Sequence, residues 1–373
     1  MSFPVPAQAA GREHSHIRAL DGVRGAAILL VLVYHLSTSL GVEFNFRPLS
    51  VAGLGWVGVD LFFVLSGFLI TGILYDSKLK PHFFKNFYMR RALRIFPLYF
   101  TALLFLLLLR AAWPHLGLFG PSSDGWMWLY LTNFVIAAQG FGAFGLMDHF
   151  WSLAIEEQFY LAWPFVVFTL SRRAAMWVAF GMCVTAPVLR SAVALTMDNS
   201  AAIYVLSPMR MDALAVGALL ALAIRGPDAI DIRRLVRPAA LTAGALIVLM
   251  AICVRVTRNV TPHSLPMETI GYSLIAILGG ATIVLSLASP LRHLFEHRLM
   301  RWFGKYSYGL YVWHPILWMI IFHSDWARSL RGGNGVQEML VSTFVAVVVL
   351  LAFVMGSWHL VESQFLKLKL RFQ

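Results

Sequence analysis

Ala19–His35 reads A-L-D-G-V-R-G-A-A-I-L-L-V-L-V-Y-H, within which an apolar run opens at Gly25 and carries no charge until His35. Arg24 and His35 are eleven residues apart, which at about 100° per residue is close to three whole turns. Both side chains therefore lie on one helix face. The rise sets His35 roughly 16 Å further along the axis. In a helix that crosses a bilayer, the arginine sits at the surface and the imidazole near the midplane. A lone histidine in such a helix is ordinarily a packed residue bonded to a neighbour, and other segments of the chain shift that balance.

The 373 residues are 59% hydrophobic and only 13% charged, with a mean hydropathy of +0.72. Soluble domains carry about 25% charged residues, so this chain has too little polar material for a water-facing surface. Repeated apolar runs near twenty residues predict an all-α integral membrane protein. Ten spanning helices are expected at 25–42, 54–75, 92–112, 150–170, 174–196, 203–224, 238–257, 269–288, 305–323 and 338–360. The apolar stretch Trp126–Ala138 is too short to span and reads as a re-entrant or interfacial piece. The expectation is one membrane domain over 1–373, with an N-terminal tail at 1–23, a basic tail at 361–373 and no separate soluble domain. The polar tail holds His14 and His16 and lacks the pattern of a cleavable signal peptide. Cys183 and Cys253 fall inside apolar runs, which argues against a disulfide framework.

Charge tests the layout. With a cytoplasmic N-terminus, 22 of the 30 Lys and Arg residues, among them Arg12, fall on inside segments. Seven (Arg47, Arg110, Arg190, Arg255, Arg258, Arg328 and Arg331) fall at outside ends, and Arg210 lies within a helix. This asymmetry predicts an N-in/C-in protein. It also accounts for the net charge of +12 without a nucleic-acid partner. No zinc spacing, P-loop or dinucleotide glycine motif occurs, so no metal and no permanently bound cofactor is expected.

Ionisable groups at bilayer depth cost roughly 2.5–3.5 kcal/mol each on insertion scales and call for a partner, a wet cavity or a task. Besides His35, the chain carries Asp60 in G-V-D-L-F-F-V-L-S-G-F-L-I and Arg91 and Arg94 in M-R-R-A-L-R-I-F-P-L-Y. Glu156, Glu157 and Tyr160 follow in S-L-A-I-E-E-Q-F-Y, Arg210 and Asp212 in R-M-D-A-L-A-V-G, and His314 in S-Y-G-L-Y-V-W-H-P. Each has a plainer reading. Arg91 and Arg94 share a face and suit a topology anchor. Glu156 and Glu157 point about 100° apart, so one of them faces a given site and the other suits a neighbouring arginine. Asp60 lies near a helix end, where a carboxylate is simply solvated. Arg210 and Asp212 are not stacked, so they pair with other helices. His314 precedes a proline and suits a kink. As a group they are hard to explain by packing.

Those same stretches, in order from residue 20 to about 315, resemble the acyltransferase 3 family of bacterial integral-membrane O-acyltransferases. The resemblance implies that His35 is the catalytic histidine, with Arg24 as its partner and a glutamate of the Glu156–Glu157 pair required. It implies that Arg91 and Arg94 serve acyl-CoA binding from the cytoplasmic side, with Asp60, Tyr160, Arg210, Asp212 and His314 as further residues toward acyl-CoA or the acceptor. The donor expected is acyl-CoA, most simply acetyl-CoA, and the acceptor a hydroxyl of a cell-surface glycan or glycolipid. The location expected is the bacterial inner membrane. Family members often end the last helix with Glu, a basic residue and Pro, where this chain has Glu362-Ser363-Gln364.

The chemistry fits such a transfer. A sugar hydroxyl is a weak nucleophile whose proton must leave as it attacks the thioester, which a histidine can arrange. Arginines at the inner helix ends suit the CoA phosphates. The competing reading is a multi-helix transporter or flippase that uses the buried charges as a substrate or proton path.

Overall fold

Helices form at all ten places where apolar runs predict them. A computed structural model describes residues 17–39, 52–113, 120–197, 199–257, 261–323 and 336–372, and every regular element among them is helical. In chain order these are α1 (Arg18–Ser39), α2 (Val57–Ser77), α3 (Phe83–Ala112), α4 (Gly125–Trp128), α5 (Thr132–Gln139), α6 (Trp151–Thr169), α7 (Arg172–Thr196) and α8 (Ser200–Val205). There follow α9 (Ser207–Ala223), α10 (Val236–Thr257), α11 (Tyr272–Ala288), α12 (Arg292–Glu296), α13 (Arg298–His323), α14 (Val336–Ser357) and α15 (Ser363–Leu368). Eight stretches, holding α1, α2, α3, α7, α8 with α9, α10, α11 and α14, are long and apolar enough to cross a bilayer. Helices α6 and α13 fall outside that set, because Glu156–Gln158 in one and four tyrosines and histidines around His314 in the other dilute their hydropathy. Arg12, His14, His16, Arg47, Arg258, Arg328 and Arg331 lie outside the described residues.

Three helices begin well before hydropathy predicts, α1 at Arg18, α3 at Phe83 and α13 at Arg298. Hydropathy marks where the apolar run begins, whereas backbone hydrogen bonding carries on through the polar turns before it. The stretch Trp126–Ala138 folds as two short helices, α4 and α5, broken at Tyr130, whose φ of 54° is left-handed. Gln158 on α6 pins this piece, donating to Tyr130 O at 3.1 Å and Asn133 Oδ1 at 3.0 Å.

Inter-helix bonds identify which helix ends lie together. Lys78 after α2 donates to Leu170 O after α6, at 2.7 Å. Arg172 at the start of α7 donates to Leu222 O late in α9, at 3.1 Å. Arg225 after α9 pairs with Asp76 at the end of α2, at 3.1 Å. The Arg18 end of α1 meets α12 and the start of α13. The ends that carry the basic residues thus share one side of the bundle, and we call it the basic end.

Close packing rests on glycines. A Cβ at Gly25 would stand 1.9 Å from Met300 O, and one at Gly304 would stand 1.8 Å from Asp21 O, so α1 and α13 touch backbone to backbone. This is how the L-D-G-V-R-G stretch works mechanically: small residues allow the dispersion contact that joins helices in lipid. Gly67 and Gly217 do the same for α2 and α9. Gly304→Val, whose branches have no room against α1, is expected to abolish monodisperse elution from detergent. A variant that elutes and melts like wild type would show that the two helices separate freely.

Candidate active site

Five helices present one stripe each to a cavity of about 160 Å³. Helix α6 supplies Ser152, Glu156 and Tyr160, spaced i, i+4, i+8, with Glu157 beside them. Helix α2 supplies Val59, Phe62, Phe63, Ser66 and the Leu69–Ile73 edge, and α13 supplies Ser307, Tyr308 and Tyr311. Arg24 enters from α1, and Arg91 and Arg94 from α3. Six of the residues singled out from sequence, Arg24, Arg91, Arg94, Glu156, Glu157 and Tyr160, are therefore brought to one chamber.

The carboxylates differ in their surroundings. Glu156 accepts from Ser66 Oγ at 2.6 Å and from Tyr160 OH at 3.2 Å, and Tyr160 OH also lies 3.1 Å from Ser66 Oγ. Glu156 is thus held in one rotamer. Glu157 Oε1 is buried without a hydrogen-bond partner. An unsatisfied buried acceptor costs about 1–3 kcal/mol, and the residue that carries it forms part of the cavity wall. Arg24 pairs with Asp21 at 3.2 Å, one turn back on its own helix.

At the basic end the chamber meets a wider cavity of about 770 Å³. Arg24, Arg94, Ser307 and Tyr308 line both. The wide cavity has six basic side chains, Arg24, Arg94, Arg298, Arg301, Lys305 and Lys369, against Asp21, Glu296 and Glu362. Trp302 and Trp358 add flat apolar surface, and Lys305 Nζ lies 5.2 Å from the Trp358 ring centre. Glu362 stands in this wall at the end of a π turn, Trp358–Glu362, so the segment that departs from the family pattern still packs against the site.

His35 does not line the chamber. Its ring meets the His314 ring edge-on at 4.9 Å between centroids, and His149 stands 6.0 Å beyond His314. His35 Nδ1 lies 2.9 Å from Val31 O, and His314 Nδ1 lies 2.9 Å from Leu310 O. Each carbonyl can only accept, so it fixes the proton on Nδ1 and leaves the lone pair on Nε2. His314 is fully buried, and its Nε2 has no hydrogen-bond partner. Tyr311 separates this cluster from the chamber: its ring lies 5.9 Å from His314, and its hydroxyl donates to His149 O at 3.0 Å.

His149 was not among the residues read from sequence. It precedes the α6 run in the 3₁₀ turn Gly145–Phe150, and only the fold turns it inward. Its ring nitrogens face Leu146 O at 3.0 Å and Val312 O at 3.3 Å. Asp148 clamps the same turn, accepting from the Gly142 and Phe144 amides. Burial pushes the Asp148 carboxyl above the usual carboxylate range, while those two amides pull it down.

Asp60, Arg210 and Asp212 form a separate network. Asp60 is 1% exposed, and pairs with Arg210 at 2.6 Å. This corrects the expectation of a solvated carboxylate near a helix end. Arg210 lies 4.0 Å from the Tyr272 ring centre and 4.9 Å from that of Tyr204. Asp212 pairs with Arg190 at 2.9 Å and accepts from Ser273 at 2.5 Å. Arg190 had been counted with the outer helix ends; it is completely buried instead. Arg210 and Asp212 each pair with another helix, as their angular offset predicts.

Comparison with known proteins gives this geometry a setting. The chain is 28% identical to YrhL of Bacillus subtilis over 374 residues, 94% of this chain and 55% of that protein. It is 28% identical to the peptidoglycan O-acetyltransferase OatA of Listeria monocytogenes over 319 residues, 81% of this chain and 49% of that one. The O-acetyltransferase OatA of Staphylococcus aureus is 32% identical over 169 residues, 42% of this chain and 26% of its own length. The chain spans about half the length of the relatives it matches over most of its own. No solved structure matches. The acyltransferase domain of the acyltransferase 3 family aligns with residues 17–359, and the chain belongs to that family.

Proposed function

We propose that the chain is a membrane O-acetyltransferase that takes an acetyl group from acetyl-CoA at the cytoplasmic face and delivers it to a hydroxyl of a cell-wall glycan, peptidoglycan before others. One observation carries this reading: a narrow polar chamber opens into a broad basic one, and they share Arg24 and Arg94. That shape and charge suit a ligand with a slim thioester arm and a bulky polyphosphate head. The names of the OatA relatives support peptidoglycan as acceptor.

The helices form ten spans in a bacterial cytoplasmic membrane, with both termini inside. The gathering of Lys78, Arg172, Arg225 and the α12–α13 arginines on one side supports this orientation. CoA phosphates dock among the basic side chains of the wide cavity, where arginine forks give bidentate contacts. The thioester arm passes Arg91, Arg94 and Glu156 toward the Phe62–Tyr311 part of the chamber, beyond which the His35 cluster stands. His35, with its proton fixed on Nδ1, uses Nε2 to accept the proton of the acceptor hydroxyl. The hydroxyl oxygen bonds to the acetyl carbonyl carbon, the carbon–sulfur bond breaks, and the imidazolium returns the proton to the leaving thiolate. The products are an O-acetyl ester and CoA thiol.

The test uses inverted membrane vesicles and labelled acetyl-CoA, with label followed into glycan and lipid fractions. Wild type is expected to transfer, and Arg94→Ala to raise the acetyl-CoA KM about tenfold or more, the worth of a charged hydrogen bond. Vesicles that label no acceptor at any acetyl-CoA concentration would turn attention to the transporter reading.

A further inference from the structure

We propose that Phe62, which narrows the deep part of the chamber against Tyr311, sets the length of acyl group the protein accepts. The inference rests on the acyl-CoA reading above. The chamber runs along α2 from Ile73, at the basic end, to Val59, and Phe62 stands about one turn short of that deep end. Ile73 and Phe62 are eleven apart, a rise of roughly 16 Å. On the facing helix, Ser307, Tyr308 and Tyr311 run the same way, and His314 lies one turn beyond. A thioester arm entering from the basic end meets Phe62 before it reaches the level of His35.

The two rings that narrow the chamber there differ in freedom. Tyr311 is pinned: its hydroxyl lies 2.5 Å from Ser152 Oγ and 3.0 Å from His149 O. Phe62 has no polar anchor; its ring stands edge-on to Tyr311 at 6.4 Å and is only half-buried. The wall here is otherwise apolar, Val59, Phe63 and Leu153. Such a pocket end discriminates by volume, and one methylene too many is worth about 10–200-fold. Acetyl ends in one methyl. Butyryl adds two methylenes that require the space now filled by the Phe62 ring.

The experiment measures, with the full-length protein in membranes, transfer from acetyl-CoA and from butyryl-CoA, and compares the two kcat/KM values within each variant. Phe62→Ala is expected to raise the butyryl-to-acetyl ratio about tenfold or more. Phe62→Leu keeps an apolar side chain at this position and is expected to move the ratio the same way by a smaller factor, which covers the case in which the alanine loses the fold. Because each ratio is internal to one preparation, differences in expression cancel. An unchanged ratio in a variant that still transfers acetyl would overturn the assignment. A wild type that uses neither thioester would overturn the donor reading itself, and the acyl-length role with it.

Discussion

His35→Gln is expected to lower acetyl transfer about 10²–10⁴-fold, the usual worth of a positioned general base, while acetyl-CoA still binds. That is roughly 3–5 kcal/mol of barrier. Glutamine has an amide that can still donate to Val31 O, the partner of Nδ1, yet it lacks a basic nitrogen. The substitution therefore removes the proton acceptor and spares the contact. Binding is spared because His35 lines neither the chamber nor the wide cavity. Transfer rates and acetyl-CoA affinity, measured on the same membranes, separate the two effects. A variant with more than a tenth of wild-type turnover would remove His35 from the chemistry.

Asp60→Ala is expected to cost about 3–5 kcal/mol of stability, because it strands a completely buried guanidinium. Arg210 Nε and Nη1 already lack hydrogen-bond partners, so little is left to absorb the charge except the ring faces of Tyr272 and Tyr204. The double replacement Asp60→Leu with Arg210→Met removes both charges and is expected to recover most of the loss. Thermal unfolding in detergent reads the stability, and vesicle transfer reads the function. If the double variant is stable and active, the pair is scaffold. If it is stable and fails to transfer, the pair contacts the acceptor, as the family resemblance implied.

Much of this was legible in the sequence, and the misses have physical causes. The long helices were visible because bilayer thickness enforces long apolar runs, and eight stretches among the described residues are long and apolar enough to cross. The chamber residues were visible because charge inside such a run is expensive and rare. Asp60 was misplaced because its depth depends on where α9 packs, which the order of residues along α2 does not encode. Arg190 looked like a loop anchor for the same reason: its partner, Asp212, is supplied by another helix. His149 escaped notice because it sits in a turn, outside every apolar run, and Asp148 and the Tyr311 contact carry it inward. Arg301, Lys305 and Lys369 were counted for orientation alone; their convergence into one wall needs α13 and the C-terminal segment to meet.

The basic end has an electrical consequence. In the proposed reading, the six cations of the wide cavity hold the polyanionic head of the donor on one side, so CoA itself does not cross. In the proposed transfer an acyl equivalent passes outward while the hydroxyl's proton passes inward to the thiol, and the exchange moves no net charge. A translocated unit charge would feel about 2.3 kcal/mol per 100 mV; this reaction feels none. The proposed acetylation then runs on thioester energy alone, and its driving force is expected to be the same in vesicles with and without a membrane potential.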